Sequence, residues 1–190
     1  MVRKESTVRA IRLPMEVDRA LQSAAAEKRV SVNALGSEIL TKFVERDWMM
    51  EKFGDISMSS SLFKAMLDKI SGSDIEVIAR ENAAEFIKEA LLAWYGAANL
   101  TTLLSMMSMV SRYGHRVIDM ETRIVGKQQI LLLHHDFGDK WSKFLAAYWG
   151  SGIEIVLHVK PQVEVGSSFV SLGIPASNLK VTGNYLEAQR

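Results

Sequence analysis

The sequence predicts an α+β protein: a strand and two helices, then a helical segment, then a small α/β sandwich with a three- to four-stranded sheet. Three observations predict it. A single alternating segment, Ser6–Leu13, precedes two stretches with helical apolar spacing. From Leu62 to Tyr113 the apolar residues keep the helical period. Beyond residue 115 short strand-like runs are interrupted by one amphipathic segment.

Each element has a local cause. Pro14 ends the first strand and suits the first turn of a helix, where a missing N–H costs nothing. Met15–Lys28 then places Val17, Ala20, Leu21 and Ala24 on one stripe. Ser31 is a good N-cap for a second helix, with Leu35, Ile39, Leu40, Phe43 and Val44 on its apolar face. Arg46–Ser61 mixes charges, Met, Gly54 and a serine cluster, and the domain boundary is expected there.

Leu62–Ile70 reads as a short helix. A longer one, capped by Ser73 or Asp74, runs to about Trp94, and Asn99 starts another through Tyr113. Residues 115–125 read as a strand, Gly126-Lys127 as a turn, and Gln128–Asp136 as a central strand. Asp139–Trp149 is expected as a helix stopped by Gly150-Ser151-Gly152. Ile153, Ile155, Leu157 and Val159 alternate with Glu154, Val156, His158 and Lys160, which predicts a strand ended by Pro161. Val163–Leu172 supplies a last strand or hairpin arm.

The domains expected are therefore 1–47, 48–60 as a linker, 61–175 as an α+β domain, and 176–190 as a flexible tail.

Composition narrows the function. The chain has 190 residues, 48% of them apolar, enough for a sizeable core. It has no cysteine, which excludes disulfides and thiolate metal sites and fits a reducing, cytoplasmic setting. The first residues lack the apolar run of a secretory signal. Ala90–Ser111 carries no charge over 22 positions, yet polar residues and a turn-like Gly96-Ala97-Ala98-Asn99 interrupt it. A buried helical pair is expected there, with no membrane partner.

Net charge is +1, but residues 1–12 hold Arg3, Lys4, Arg9 and Arg12 against Glu5 alone. A basic arm on a near-neutral body is one pattern of nucleic-acid binding. One strand and two helices are too little for an independent core. A homodimer solves this, with two copies of Thr7–Leu13 paired as an antiparallel ribbon over four helices.

Residues 6–46 resemble the ribbon-helix-helix family of DNA-binding proteins, the Arc and MetJ type. The resemblance rests on Thr-Val-Arg-Ala-Ile-Arg-Leu-Pro (7–14), the amphipathic helix and Arg-Val-Ser-Val-Asn-Ala-Leu (29–35), about a fifth of the chain. Arg29 departs from the glycine that such proteins often carry in the interhelical turn. Strand parity turns Ile11 and Leu13 toward the core and Val8, Ala10 and Arg12 outward. Those three are the expected base contacts in the major groove, Arg12 to a guanine edge and the others to thymine methyls. The resemblance implies a phosphate held at the start of the second helix, by Ser31 and the N–H groups of Val32 and Asn33. Arg3, Lys4 and Arg9 are the further phosphate contacts.

The resulting expectation is a sequence-specific transcriptional regulator, a homodimer on double-stranded DNA with room for a higher oligomer and an unidentified small-molecule or protein effector. The alternatives are an antitoxin-like interaction module and an architectural or partition protein.

Other features point to less. His134, His135, Asp136 and His158 invite a metal, but adjacent residues of a strand face opposite ways, so neither a metal nor another cofactor is expected. His115 reads as ordinary surface. No phosphate loop, nucleophile elbow or zinc-protease helix occurs, so no enzyme is expected. Asp139 near Asp136 reads as a helix cap. Met106, Met107 and Met109, with Trp94, Tyr95, Trp141, Tyr148 and Trp149, either line an effector pocket or fill the core.

Overall fold

In a computed structural model the described residues are 7–54, 56–114, 117–175, 179–182 and 185–188. The chain divides into two compact units, Met1–Lys52 and Phe53–Arg190. The fold is α+β.

The first unit is helical. Helix α1 spans Met15–Lys28 and α2 spans Val32–Lys42. Arg29 sits between them in the left-handed region, φ 57° and ψ 40°, and its N–H returns to the last turn of α1. A non-glycine residue there costs about 1–2 kcal/mol, so the turn holds its shape against the residue chosen for it.

Helical structure then continues through one wide π turn, Phe43–Asp47, into α3, Trp48–Phe53. The expected linker therefore begins as helix. The charges that suggested a linker are used locally: Asp47 takes ion pairs from Lys42 and Arg46, and Phe43 meets Trp48 edge-on.

The second unit begins with α4, Ser60–Leu67, capped by Ser59. Helix α5 spans Gly72–Tyr95 and is capped by Ser71, ahead of the expected Ser73 or Asp74. Gly96 ends it with φ 70°. Asn99 starts α6, Leu100–Tyr113, in a reciprocal capping box with Thr102. Helices α5 and α6 meet at 98°, and among the described residues no single helix is long and apolar enough to cross a membrane. The methionines at 106, 107 and 109 are buried with Leu103 and Leu104, so they are core.

Strands β1 (Asp119–Val125) and β2 (Gln128–His134) form the expected hairpin about Gly126. Helix α7 follows, but it runs from Asp139 to Leu157. This corrects two expectations. Gly150 and Gly152 do not stop the helix, and residues 153–157 belong to it; no strand forms over 153–160. The glycines are buried, and a Cβ at Gly152 would collide with Ile87 of α5. Gly152 thus serves close helix packing instead of termination, whereas a Cβ at Gly150 would meet open space.

His158 ends α7 in the left-handed region at φ 54°. Strands β3 (Gln162–Val165) and β4 (Phe169–Pro175) form a second hairpin. The sheet order is β1-β2-β4-β3, antiparallel throughout, so β4 lies between β2 and β3. A further hairpin, β5 (Leu179–Thr182) with β6 (Tyr185–Ala188), stands where a tail was expected.

Helix α7 packs on the sheet against β4 and β3, α6 packs against β1, and α5 lies across α7. Leu131, Leu133, Val170, Leu172 and Ile174 are fully buried on the helical side.

Candidate nucleic-acid interface

Residues 7–14 form no strand in the single chain, which corrects the expected strand at 6–13. The physical reason is that a lone strand has no ladder to join, so its N–H and C=O groups stay with water.

The whole segment is exposed, but unevenly: Val8 is 97% exposed, Ile11 61% and Leu13 45%. Exposure falls toward Leu13, where the chain enters α1. Arg9, Ala10 and Arg12 are exposed alongside them. The segment thus presents Arg9 and Arg12 to solvent at the head of a helix pair. Arg3 and Lys4 lie outside the described residues.

At the start of α2, Ser31 behaves as expected. Its Oγ accepts the Ala34 N–H at 3.1 Å, and its C=O accepts the Leu35 N–H at 3.0 Å. That leaves the hydroxyl hydrogen of Ser31 and the N–H groups of Val32 and Asn33 at the open end of the helix. These groups carry the positive end of the helix dipole, a suitable place for an anion. Lys28 and Glu38 reach between α1 and α2 at 3.4 Å, both well exposed, so this pair adds little stability.

The first unit has almost no core. Among residues 7–52 only Ala25 and Leu35 are buried. Eleven large apolar side chains are exposed there: Val8, Ile11, Leu13, Met15, Val17, Val30, Ile39, Leu40, Phe43, Val44 and Trp48. The stripes read from the sequence therefore exist as helix faces, and the described residues of the first unit leave them uncovered.

The second unit contrasts with this. His134 is exposed and His135 is buried, on opposite sides of the strand's end as alternation requires. His135 Nδ1 accepts the Phe137 N–H at 3.3 Å, so its proton sits on Nε2, which donates to Ser142 Oγ at 2.8 Å. Burial lowers the His135 pKa; the Asp136 carboxylate raises it less, and His134 adds a small lowering. The ring is a neutral staple between the end of β2 and the first turn of α7.

His158 stands apart at the far end of α7, on a helix cap and not on the strand expected there. Among the described residues no group of three or more His, Asp or Glu side chains is placed to hold a metal ion. His115 lies outside the described residues. Asp139 is the first residue of α7, and Gly138 takes the capping position with no side-chain bond.

Sequence reasoning missed Lys140. Its Nζ reaches the carbonyls of Leu67, Asp68 and Ile70, at 3.4, 2.8 and 2.8 Å. A partly buried aromatic cluster lies beside it: Trp141 stacks on Phe144 at 4.6 Å, Phe63 meets Trp141 edge-on at 5.0 Å, and Trp141 Nε1 donates to the Val117 carbonyl. Tyr148 stacks on Phe144, and burial pushes its phenol pKa upward.

The chain matches no known family model, no curated protein and no solved structure.

Proposed function

We propose that the protein is a DNA-binding transcriptional regulator whose N-terminal unit is completed by a second copy of itself. The observation that carries this reading is the missing core of the first unit: eleven exposed large apolar side chains against two buried residues. A unit this small needs a partner to bury enough surface. Each large side chain withdrawn from water contributes about 1.5–3 kcal/mol.

A second copy supplies two things at once. It covers the faces of α1 and α2, and it gives Thr7–Leu13 an antiparallel partner. Two such strands make a ribbon of major-groove width. In that ribbon Ile11 and Leu13 turn inward, and Val8, Ala10 and Arg12 turn to the bases. Ser31 and the N–H groups of Val32 and Asn33 hold a phosphate, with Arg9, Arg3 and Lys4 adding charge. The second unit, with its own buried core, is the part free to bind an effector or to oligomerise. That separate core favours this reading over an antitoxin, whose toxin-binding part is usually short and unfolded when free.

The test is selection from randomised duplex DNA with the full chain at two salt concentrations. Enrichment of a short repeated site, with affinity falling as salt rises, is the expected result. No enrichment at either salt overturns the reading.

A further inference from the structure

The four-stranded sheet has two unlike faces. One lies under the helices. The other carries Glu121 and Arg123 on β1, Ile130 and Leu132 on β2, Ser171 and Gly173 on β4, and Gln162 and Glu164 on β3, placed there by register. Gly173 confirms the grouping: a Cβ there would touch Ile130 and Gln162. Glu121, Arg123 and Glu164 are exposed, while Ile130 and Leu132 are half-buried. Among the described residues neither Glu121 nor Arg123 has an ion-pair partner.

The register makes this face self-complementary. The three seven-residue strands share one middle row, Thr122–Leu131–Leu172. On either side of it the rows read Glu121–Leu132–Ser171–Glu164 and Arg123–Ile130–Gly173–Gln162. A twofold axis along the middle row, across the strands, lays one row over the other. Arg123 then meets the partner copy's Glu121, Leu132 meets Ile130, the small Ser171 meets Gly173, and Glu164 meets Gln162. The end rows follow, with Phe169 over Pro175. The other twofold that brings the faces together, along the strands, sets Glu121 over Glu164. Like charges pressed together disfavour it.

We infer that this sheet face is a twofold docking surface for a second copy of the chain, with reciprocal Arg123–Glu121 pairs between copies. Strand spacing and rise put its area at about 400 Å² per copy. That is about half of a standard interface. Two free chains would associate weakly through it; chains already joined elsewhere meet at an effective concentration in the millimolar range. In this respect the inference rests on the N-terminal dimer proposed above.

The absence of cysteine gives a clean test, because any introduced thiol is unique. Facing sheets pack about 10 Å apart, which puts the two copies of residue 164 about 12 Å from each other. The full-length Glu164→Cys variant should cross-link through a short bismaleimide at least about tenfold faster than Glu154→Cys, which places the thiol at an exposed position of α7. Adding Arg123→Glu should slow the reaction several-fold, and adding Glu121→Arg as well should restore it. Light scattering gives the mass in parallel. A dimeric mass with equal cross-linking at 164 and 154 overturns the sheet-face inference and leaves the N-terminal dimer standing. Failure of the double charge swap to restore the rate also overturns it. A monomeric mass defeats the N-terminal reading. The reaction at millimolar chain then tests the face alone, and no preference for residue 164 there overturns the inference.

Discussion

Gly152 on α7 lies so close against Ile87 on α5 that a Cβ there would collide with the Ile87 Cδ1 methyl. Both residues are fully buried in the interior of the second unit. Gly152→Ala should therefore destabilise the protein by about 1–3 kcal/mol through overpacking, even though alanine is the better helix former. Adding Ile87→Val should recover part of the loss, a coupling that chemical denaturation of the single and double variants measures. Additive losses would show that Gly152 and Ile87 are not coupled through this contact.

Lys140 ties down the end of α4 and the turn after it: its Nζ donates to the carbonyls of Leu67, Asp68 and Ile70, the first of which also accepts the Ile70 N–H. Lys140→Met keeps most of the apolar stem and removes the charge and the donors. A loss of about 1–3 kcal/mol is expected, because hydrogen bonds to charged groups are worth that much. Hydrogen exchange should accelerate in the last turn of α4 before it does in α5; uniform acceleration would argue for a global effect instead.

His135 makes stability sensitive to acid. Its folded pKa lies below its ordinary 6.5, chiefly through burial. The unfolded chain therefore takes up the proton first as pH falls. The His135 contribution is complete above about pH 6.5 and declines below it, down through the lowered folded pKa. His135→Gln should flatten this acid slope in thermal melts between pH 7 and 5, at the expense of some stability at pH 7. An unchanged slope would remove His135 as its origin.

On DNA, Arg12 and Ser31 should fail in different ways. Arg12→Ala should relax sequence preference by about 1–3 kcal/mol at one base position and leave the dimer intact. Ser31→Asp keeps a capping oxygen at the start of α2 but sets a negative charge against the phosphate. It should weaken binding to every sequence alike. Competition binding with matched and mismatched duplexes separates the two; a sequence-dependent loss for Ser31→Asp would exclude a phosphate clamp.

The legible parts of the sequence were those with one apolar and one polar side. Helices α1, α2, α5 and α6 announce themselves by stripes and by Ser31 and Asn99 at their starts, and Gly126 marks the first hairpin. Helix α7 was half missed because it has little wet side in its second half. It packs against α5 on one flank and against β4 and β3 on another. Ile153 is fully buried, and Ile155, Val156 and Leu157 are partly covered. A helix apolar nearly all round loses its period, and alternation can be read into it. Residues 48–53 were missed for the opposite reason: their helix is exposed and mixed in charge, with no strong stripe. In the candidate interface, sequence located Ser31 and the helix pair. The strand expected at 6–13 did not form over the described residues; the ribbon proposed for it needs atoms of a second chain.

The sheet order also sets a timetable. Strand β4 is the last of the four to be synthesised, yet it forms the link between β2 and β3. Helices and the β1–β2 hairpin close over short stretches of chain and can form as they emerge. Pairing β2 with β4 spans the whole of α7, and β3 has no neighbour in the sheet until β4 appears. A nascent chain therefore exposes the apolar side of an unfinished sheet until Pro175 has cleared the ribosome. The N-terminal unit is by then long since translated, so the dimer proposed for it has time to form before its own chain has finished folding.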